Sequence, residues 1–151
     1  MLTVLSSGML LLPNWSFALP QGGTIVDGSG SIAAPGNGVL DIIGNNGNLA
    51  IDWNSFNIAA GETVNFKQMA AVLNYVTGNQ RSEIFGRLNS DPGTHVFLLN
   101  PNGILFGAGA QVNVGSLTAS TRSLAATERK GFNGSLGNLT ADAIGKVQAD
   151  I

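Results

Sequence analysis

Short apolar segments separated by corners rich in Gly and Asn recur along most of the chain. Within them, apolar and other residues alternate, as in Leu49-Ala50-Ile51-Asp52-Trp53, a pattern typical of half-buried β-strands. The pattern predicts strands over residues 24–26, 30–32, 39–43, 49–53, 63–66, 84–88, 96–99, 104–106, 111–114 and 116–119. From residue 84 onward they recur about every eight to twelve residues, as in β-sandwiches and β-solenoids. Short corners, beside which Asn side chains can stack as ladders between coils, favour an all-β solenoid.

One segment departs from this pattern. Met69, Val72, Leu73 and Val76 fall at helical spacing, and Gly78 follows as a stop signal. The sequence therefore predicts one short helical segment over residues 68–76.

The corner Asn100-Pro101-Asn102-Gly103 lies between two apolar strands. Asn at the first turn position hydrogen-bonds its own backbone, Pro presets φ at the second, and Gly at the fourth suits a type I turn. The residues predict a tight turn between two buried strands. A purely structural role and recognition by another protein both remain open for this corner.

The two ends differ from the middle of the chain. Residues 4–12 are largely apolar, and Ser16-Phe17-Ala18 places small residues at the two positions that a signal peptidase reads. Residues 1–18 are therefore predicted to be a signal peptide-like segment cleaved after Ala18, although no Lys or Arg precedes the apolar run. Residues 126–151 begin with a charge cluster and show weak periodicity, which predicts a divergent or truncated tail.

Composition narrows the function classes. The chain has no Cys, which excludes disulfides, thiolate metal sites and a Cys nucleophile. Charged residues make up 11% of the sequence, the formal net charge is -2, and no Lys or Arg precedes Lys67. The basic surface that nucleic acid requires is therefore not expected.

Candidate chemistry is sparse. Residues 28–33 fit G-x-G-x-x-A, but the Ala34-Pro35-Gly36 that follows prevents the helix that a dinucleotide site requires. His95 is the single histidine, so neither a metal site nor a catalytic triad is expected. The acidic residues are separated in sequence, and we expect no enzyme, cofactor or metal. A polysaccharide-acting β-helix enzyme stays open if coils stack carboxylates together, and a carbohydrate-binding adhesin module if an aromatic groove is exposed.

Several motifs together resemble a known family. Residues 48–58, 61–66, 82–88 and 107–115 are similar, in order, to segments of the secretion domain of filamentous haemagglutinins and haemolysin-type exoproteins. These proteins are the cargo of two-partner secretion (TPS) in Gram-negative bacteria. The family's strand motif corresponds to Trp53, Ser55, Phe56, Asn57 and Ile58, and its secretion motif to Asn100, Pro101, Asn102, Gly103 and Ile104. The resemblance covers roughly residues 21–121, and the second family motif, Asn-Pro-Asn-Leu, is absent.

The resemblance implies a right-handed parallel β-helix with an N-terminal β cap, spanning residues 19–125. It implies a secretion-competence module of a surface exoprotein of adhesin, haemolysin or contact-dependent toxin type. Its partner would be an outer-membrane β-barrel transporter bearing periplasmic POTRA domains, with folding outside the cell after passage through the periplasm. A host or cell-surface ligand would be bound by regions further downstream.

Overall fold

The computed structural model describes residues 18–136 and the backbone of residues 147–149. The predicted signal segment, apart from Ala18, lies outside the described residues, so cleavage after Ala18 stays a prediction. The strands are β1 (Thr24–Asp27), β2 (Gly30–Gly36), β3 (Val39–Gly44), β4 (Asn48–Trp53), β5 (Thr63–Lys67), β6 (Ala71–Val76), β7 (Ser82–Ile84), β8 (Arg87–Ser90), β9 (His95–Leu99), β10 (Ile104–Phe106), β11 (Gln111–Asn113), β12 (Ser116–Ser120) and β13 (Val147–Ala149). One helix, α1 (Ala126–Lys130), follows β12.

The strands stack in parallel coils that form a β-solenoid, which confirms the predicted fold class. Two five-stranded sheets have the orders β1-β4-β6-β9-β12 and β11-β8-β5-β3-β2, and a three-stranded sheet has the order β13-β10-β7. Stacked side chains on the second sheet are 24 residues apart, so each coil there uses 24 residues. Inward-facing aliphatic and aromatic side chains of all three sheets form one continuous core.

The first two strands pair differently from the others. β1 is antiparallel to β4, and β2 is antiparallel to β3, whereas β3–β5, β4–β6 and the later pairs are parallel. The antiparallel strands cover the first coil and satisfy its strand edge. The predicted N-terminal β cap is thereby confirmed.

The helix predicted over residues 68–76 is wrong, because Ala71–Val76 forms strand β6. All six residues of β6 are buried, since its sheet is covered on both faces. A strand of this kind lacks polar alternation, and its apolar residues matched helical spacing by coincidence. Among the described residues, a helix lies instead in the charge cluster, at Ala126–Lys130. Residues 84–88, predicted as one strand, are divided between β7 and β8.

Residues 121–136, which we call the strap, cross the outer face of the sheet β1-β4-β6-β9-β12, which we call the strap sheet. A second apolar cluster joins the strap to this face, and it consists of Leu124 and Phe132 of the strap with Ala50, Ala71, Leu73, Tyr75, Phe97 and Leu99 of the sheet. Arg129 of α1 reaches back to Asp52 in β4, 77 residues earlier in the chain. The strap therefore spans three coils, through contacts with β4, β6 and β9.

The sheet β11-β8-β5-β3-β2, which we call the ladder sheet, carries polar side chains on its outer face. Asn65 Nδ2 donates to Asp41 Oδ1 at 2.9 Å, and Asn89 Nδ2 donates to Asn65 Oδ1 at 3.1 Å. Asn113 follows in register beside Asn89. Asn side chains thus stack between coils, as predicted, but they do so within strands and not beside the corners.

Candidate functional site

The predicted secretion motif forms the corner between β9 and β10, and Asn100 is its buried centre. Asn100 is fully buried. Its Nδ2 donates to the Gln80 carbonyl at 2.9 Å and to Ser82 Oγ at 3.0 Å. Its Oδ1 accepts a hydrogen bond from the Asn102 amide at 2.9 Å, which confirms the predicted bond to its own turn. The side chain thus joins the turn to the preceding coil.

The backbone of the corner closes as a β-turn. The Gly103 amide donates to the Asn100 carbonyl at 3.0 Å, and Gly103 has a φ of 118°. Only glycine adopts this backbone conformation without strain. Across the coils, the Ser82 amide donates to the Gly103 carbonyl, and the Asn100 amide donates to the Ser120 carbonyl, both at 3.0 Å. The corner is consequently fixed from the coil before it and the coil after it.

The remaining motif residues divide between surface and core. Asn102 is exposed, and its Nδ2 donates to the Gly78 carbonyl at 2.8 Å and to Asn100 Oδ1 at 2.9 Å. Pro101 is half-buried, while Ile104 is buried and packs into the core. Both asparagine side chains therefore hold the corner of the previous coil.

The predicted strand motif lies two coils earlier and anchors the first coil. Trp53 and Phe56 are buried, and their rings meet edge to face with centroids 5.7 Å apart. Trp53 Nε1 donates to Asn74 Oδ1 at 3.0 Å, and Asn74 Nδ2 donates to the Phe97 carbonyl at 3.1 Å. This buried relay joins three successive coils of the strap sheet.

The other three residues of the strand motif pair with neighbouring backbone. Ser55 pairs with Gln21 in an antiparallel bridge, and Ile58 pairs with Ile84 in a parallel one. Asn57 Oδ1 accepts a hydrogen bond from the Glu83 amide at 2.8 Å. The segment 78–84 thus lies between the two motifs and bonds to both.

The sequence pattern did not identify three residues that hydrogen-bond to the motifs, namely Asn74, Gln80 and Ser82. Asn74 and Ser82 are buried. Asn74 interrupts the apolar run of β6, and a polar residue inside such a run is a usable signal of a buried hydrogen-bond partner. Gln80 acts through its backbone carbonyl, for which a side-chain pattern carries no signal.

The carboxylates of residues 18–136 do not converge on one catalytic centre. Within the described residues, no group of three or more His, Asp or Glu side chains is placed to hold a metal ion. The partners of five carboxylates are the Gly28 amide for Asp27, Asn65 for Asp41, Arg129 for Asp52, Arg81 for Glu83 and the Gln68 amide for Asp91. This arrangement lacks the paired acid and base of a glycosidase.

His95 lies on the outer face of the strap sheet. Its ring stacks on Phe97 with centroids 3.9 Å apart, and Nε2 lies 2.8 Å from Thr118 Oγ1. Burial lowers the pKa of His95 from its ordinary value. These contacts give the histidine a packing role beside the strap.

A groove of about 430 Å³ lies at the corner that precedes the ladder sheet. Thr63, Arg87 and Gln111, at equivalent positions in three coils, line it together with Phe85. Phe85 is the one aromatic side chain among its lining residues. The groove therefore lacks the row of aromatic rings predicted for a carbohydrate-binding adhesin module.

Comparison with known proteins decides the family. The protein-family model of the TPS secretion domain matches residues 16–150 of this chain. The chain belongs to the TPS secretion domain family. Its fold is similar to that in the crystal structure of the HMW1 secretion domain from Haemophilus influenzae, with a TM-score of 0.65 and 36% identity. That match covers 74% of this chain and 30% of the HMW1 chain.

Two sequence relatives are heme/hemopexin-binding proteins of Haemophilus influenzae. One, from strain Rd, is 39% identical over 119 residues, covering 77% of this chain and 12% of the relative. The other is 40% identical over 77 residues, covering 49% of this chain and 8% of the relative. The chain therefore spans about one eighth or less of these relatives. It is the TPS secretion domain of an exoprotein, and such domains work with a partner transporter in secretion.

The part of the chain that the structure describes contains no helix with the length and hydrophobicity of a membrane span.

Proposed function

We propose that this TPS secretion domain is recognised in the periplasm by the POTRA domains of a partner β-barrel in the outer membrane. The chain then passes through that barrel and folds outside the cell. The parallel coils support this order of events, because each coil buries its apolar face against the previous one and folding propagates along the stack. The low charge and absent cysteines favour passage of an unfolded chain.

We also propose roles for the segments that precede and follow the domain. Residues 1–18 would direct export and be removed after Ala18. Regions downstream would make the parent a surface adhesin, haemolysin or contact-dependent toxin and bind its host or cell-surface ligand. The domain itself would catalyse no reaction, since its described carboxylates pair with separate partners.

We propose a mainly structural role for the secretion motif. The observation that carries this role is the side chain of Asn100, whose two polar atoms are used within the fold. Recognition of the motif would require these atoms to be presented by the unfolded chain instead. Loss of secretion on mutation would then follow from slower or weaker folding.

Partner-dependent export tests the proposed function. The chain is expressed with the transporter, without it, and with a transporter that lacks its POTRA domains, and the protein outside the cells is quantified. Export is expected only with the intact transporter, while the chain in the other two strains stays in the periplasm. Equal export in all three strains would contradict the proposal. N-terminal sequencing of the exported chain is expected to begin at Leu19.

A further inference from the structure

Glu62 is a buried carboxylate without a cationic side chain beside it. Glu62 is 6% exposed, and its Oε1 accepts a hydrogen bond from the Ala59 amide at 2.9 Å. Among the described residues, none of the ion pairs within 4.0 Å includes it. Removing a carboxylate from water is costly unless a positive charge or sufficient donors compensate. The Glu62 carboxyl group is therefore a buried acceptor that a cation would stabilise.

The backbone nitrogen of Ala18 occupies the position where such a cation would lie. It is 3.2 Å from both Oε1 and Oε2 of Glu62. A backbone amide has one hydrogen to share between two oxygens, whereas an ammonium group has three donors. Leu19 and Pro20 are buried directly after it, and Gln21 Nε2 donates to the Leu19 carbonyl at 2.9 Å. The chain is thus held on the carboxylate as it enters the fold.

We propose that the Glu62 carboxylate is the docking site for the α-ammonium group that removal of the N-terminal segment creates. The proposal rests on the processing described under the proposed function. Cleavage before Ala18 places the ammonium on the contacting nitrogen, and the predicted cleavage after Ala18 places it one residue later, on Leu19. The stabilising ion pair then exists only in the processed chain, so the precursor folds less favourably.

The groups that surround the site allow a change of stability with pH to be assigned to the α-amine. The Arg87 amide donates to the Glu62 carbonyl at 2.9 Å, and the side chain of Arg87 is exposed to solvent. The contacting residues Ala59 and Gly38 have no titratable side chain. An α-amine ordinarily has a pKa of about 7.7–8.0, and a carboxylate partner raises it in the folded state. The stabilisation is therefore complete below that ordinary value and is lost as pH rises through the folded-state value.

N-terminal acetylation tests the proposal, because it removes the charge and keeps an N–H donor. The whole chain beginning at Ala18 is prepared with free and with acetylated amino termini, and urea unfolding is measured at pH 6.5 and 10.5. The unfolding equilibrium constant at pH 6.5 is expected to be about tenfold smaller for the free amine, because only the free amine carries the charge that pairs with Glu62. The two forms should be nearly equal at pH 10.5.

Two substitutions identify the carboxylate responsible. Glu62→Gln is expected to abolish the difference between free and acetylated chains, whereas Glu83→Gln, at a half-buried carboxylate, is expected to preserve it. If Glu62→Gln prevents folding, the reactivity of the α-amine of the unmutated chain towards an acylating reagent gives its pKa directly, and a raised value is expected.

The same comparison is made with chains beginning at Leu19. A difference in the form that begins at the exported N-terminus supports the proposal, and a difference confined to the other form would overturn it. Equal stability of free and acetylated chains in both forms at pH 6.5 would overturn the proposal. These measurements use purified chain without transporter, so their outcome is independent of the partner-dependent export.

Discussion

The strap sheet and the ladder sheet belong to the same coils, yet their outer faces are built in opposite ways. The strap sheet buries an apolar face under residues 121–136, whereas the ladder sheet presents a polar row to solvent. Ladder contacts join residues 24 positions apart, and the Arg129–Asp52 contact joins residues 77 positions apart. Contacts between adjacent coils add coil by coil, while a contact that spans the coils requires all of them to be in place. The strap is therefore the feature that makes the stack cooperative.

Removing the apolar anchor of the strap should have the largest effect. Phe132 is buried and meets Phe97 edge to face with centroids 5.5 Å apart. Phe132→Ala is expected to lower the free energy of unfolding by about 3 kcal/mol, because a large buried side chain is deleted. Urea unfolding measures the change, with Lys130→Ala, at an exposed position of the strap, as the control. An effect of Phe132→Ala no larger than that of Lys130→Ala would show that the strap adds no stability.

The ion pair of the strap should have the next largest effect. Arg129 Nε and an Nη donate to the two Asp52 oxygens at 2.7 and 3.0 Å, and the guanidinium lies 4.5 Å from the Tyr75 ring centroid. This hydrogen bonding to Asp52 raises the pKa of Arg129. A double-mutant cycle with Arg129→Ala and Asp52→Ala is expected to give a coupling energy of about 1–2 kcal/mol, since the pair is bidentate and largely buried.

A matched pair on the surface controls for this measurement. Arg81 and Glu83 lie 2.9 Å apart, but their side chains are 51% and 44% exposed. Their coupling energy is expected to stay below about 1 kcal/mol because water screens exposed ion pairs. Equal coupling in the two cycles would remove the energetic distinction between the strap and the open surface.

The ladder should give the smallest effect of the three. Asn65→Ala removes the hydrogen bonds to Asp41 and Asn89 while leaving the two neighbours open to water. A loss of about 0.5–1.5 kcal/mol is expected, measured by urea unfolding. Native-state hydrogen exchange should show faster exchange confined to β3, β5 and β8. For Phe132→Ala, by contrast, faster exchange is expected across β4, β6 and β9, and the same local pattern in both variants would contradict the comparison.

The difference between the strap sheet and the ladder sheet also explains which features could be predicted from the sequence. The corner at Asn100 and Gly103 and the Asn ladder were predictable, because turn chemistry and a repeated residue type act between neighbouring coils. Strand β6 was not, because burial on both faces removed the polar alternation on which strand prediction depends. The strap was also missed. Its anchors, Phe132 and Arg129, contact their partners only in the assembled stack, and the charge cluster at residues 127–130 indicated a divergent or truncated tail.

The two motifs carried by the family resemblance show the same division. The burial of Trp53 follows from strand alternation, and the turn at Gly103 follows from turn chemistry. The buried relay through Asn74 depends instead on the register of three coils. This register is set by the pairing of strands whose residues lie 20 or more positions apart in the sequence, and a local pattern does not encode it.

Asn100→Ala tests most directly the claim that the secretion motif acts through folding. The variant leaves the Gln80 carbonyl and Ser82 Oγ without this donor, and a loss of about 1–3 kcal/mol in unfolding free energy is expected. Asn79→Ala, at an exposed position in the adjacent corner, is the control.

The decisive measurement pairs refolding of the purified Asn100→Ala chain with binding of the urea-unfolded chain to the isolated POTRA domains of the partner. Slower refolding, lower stability and nearly unchanged POTRA binding are predicted, together with less secreted protein. Refolding and stability equal to those of the unmutated chain, with POTRA binding lost, would contradict the account and make the corner a recognition signal.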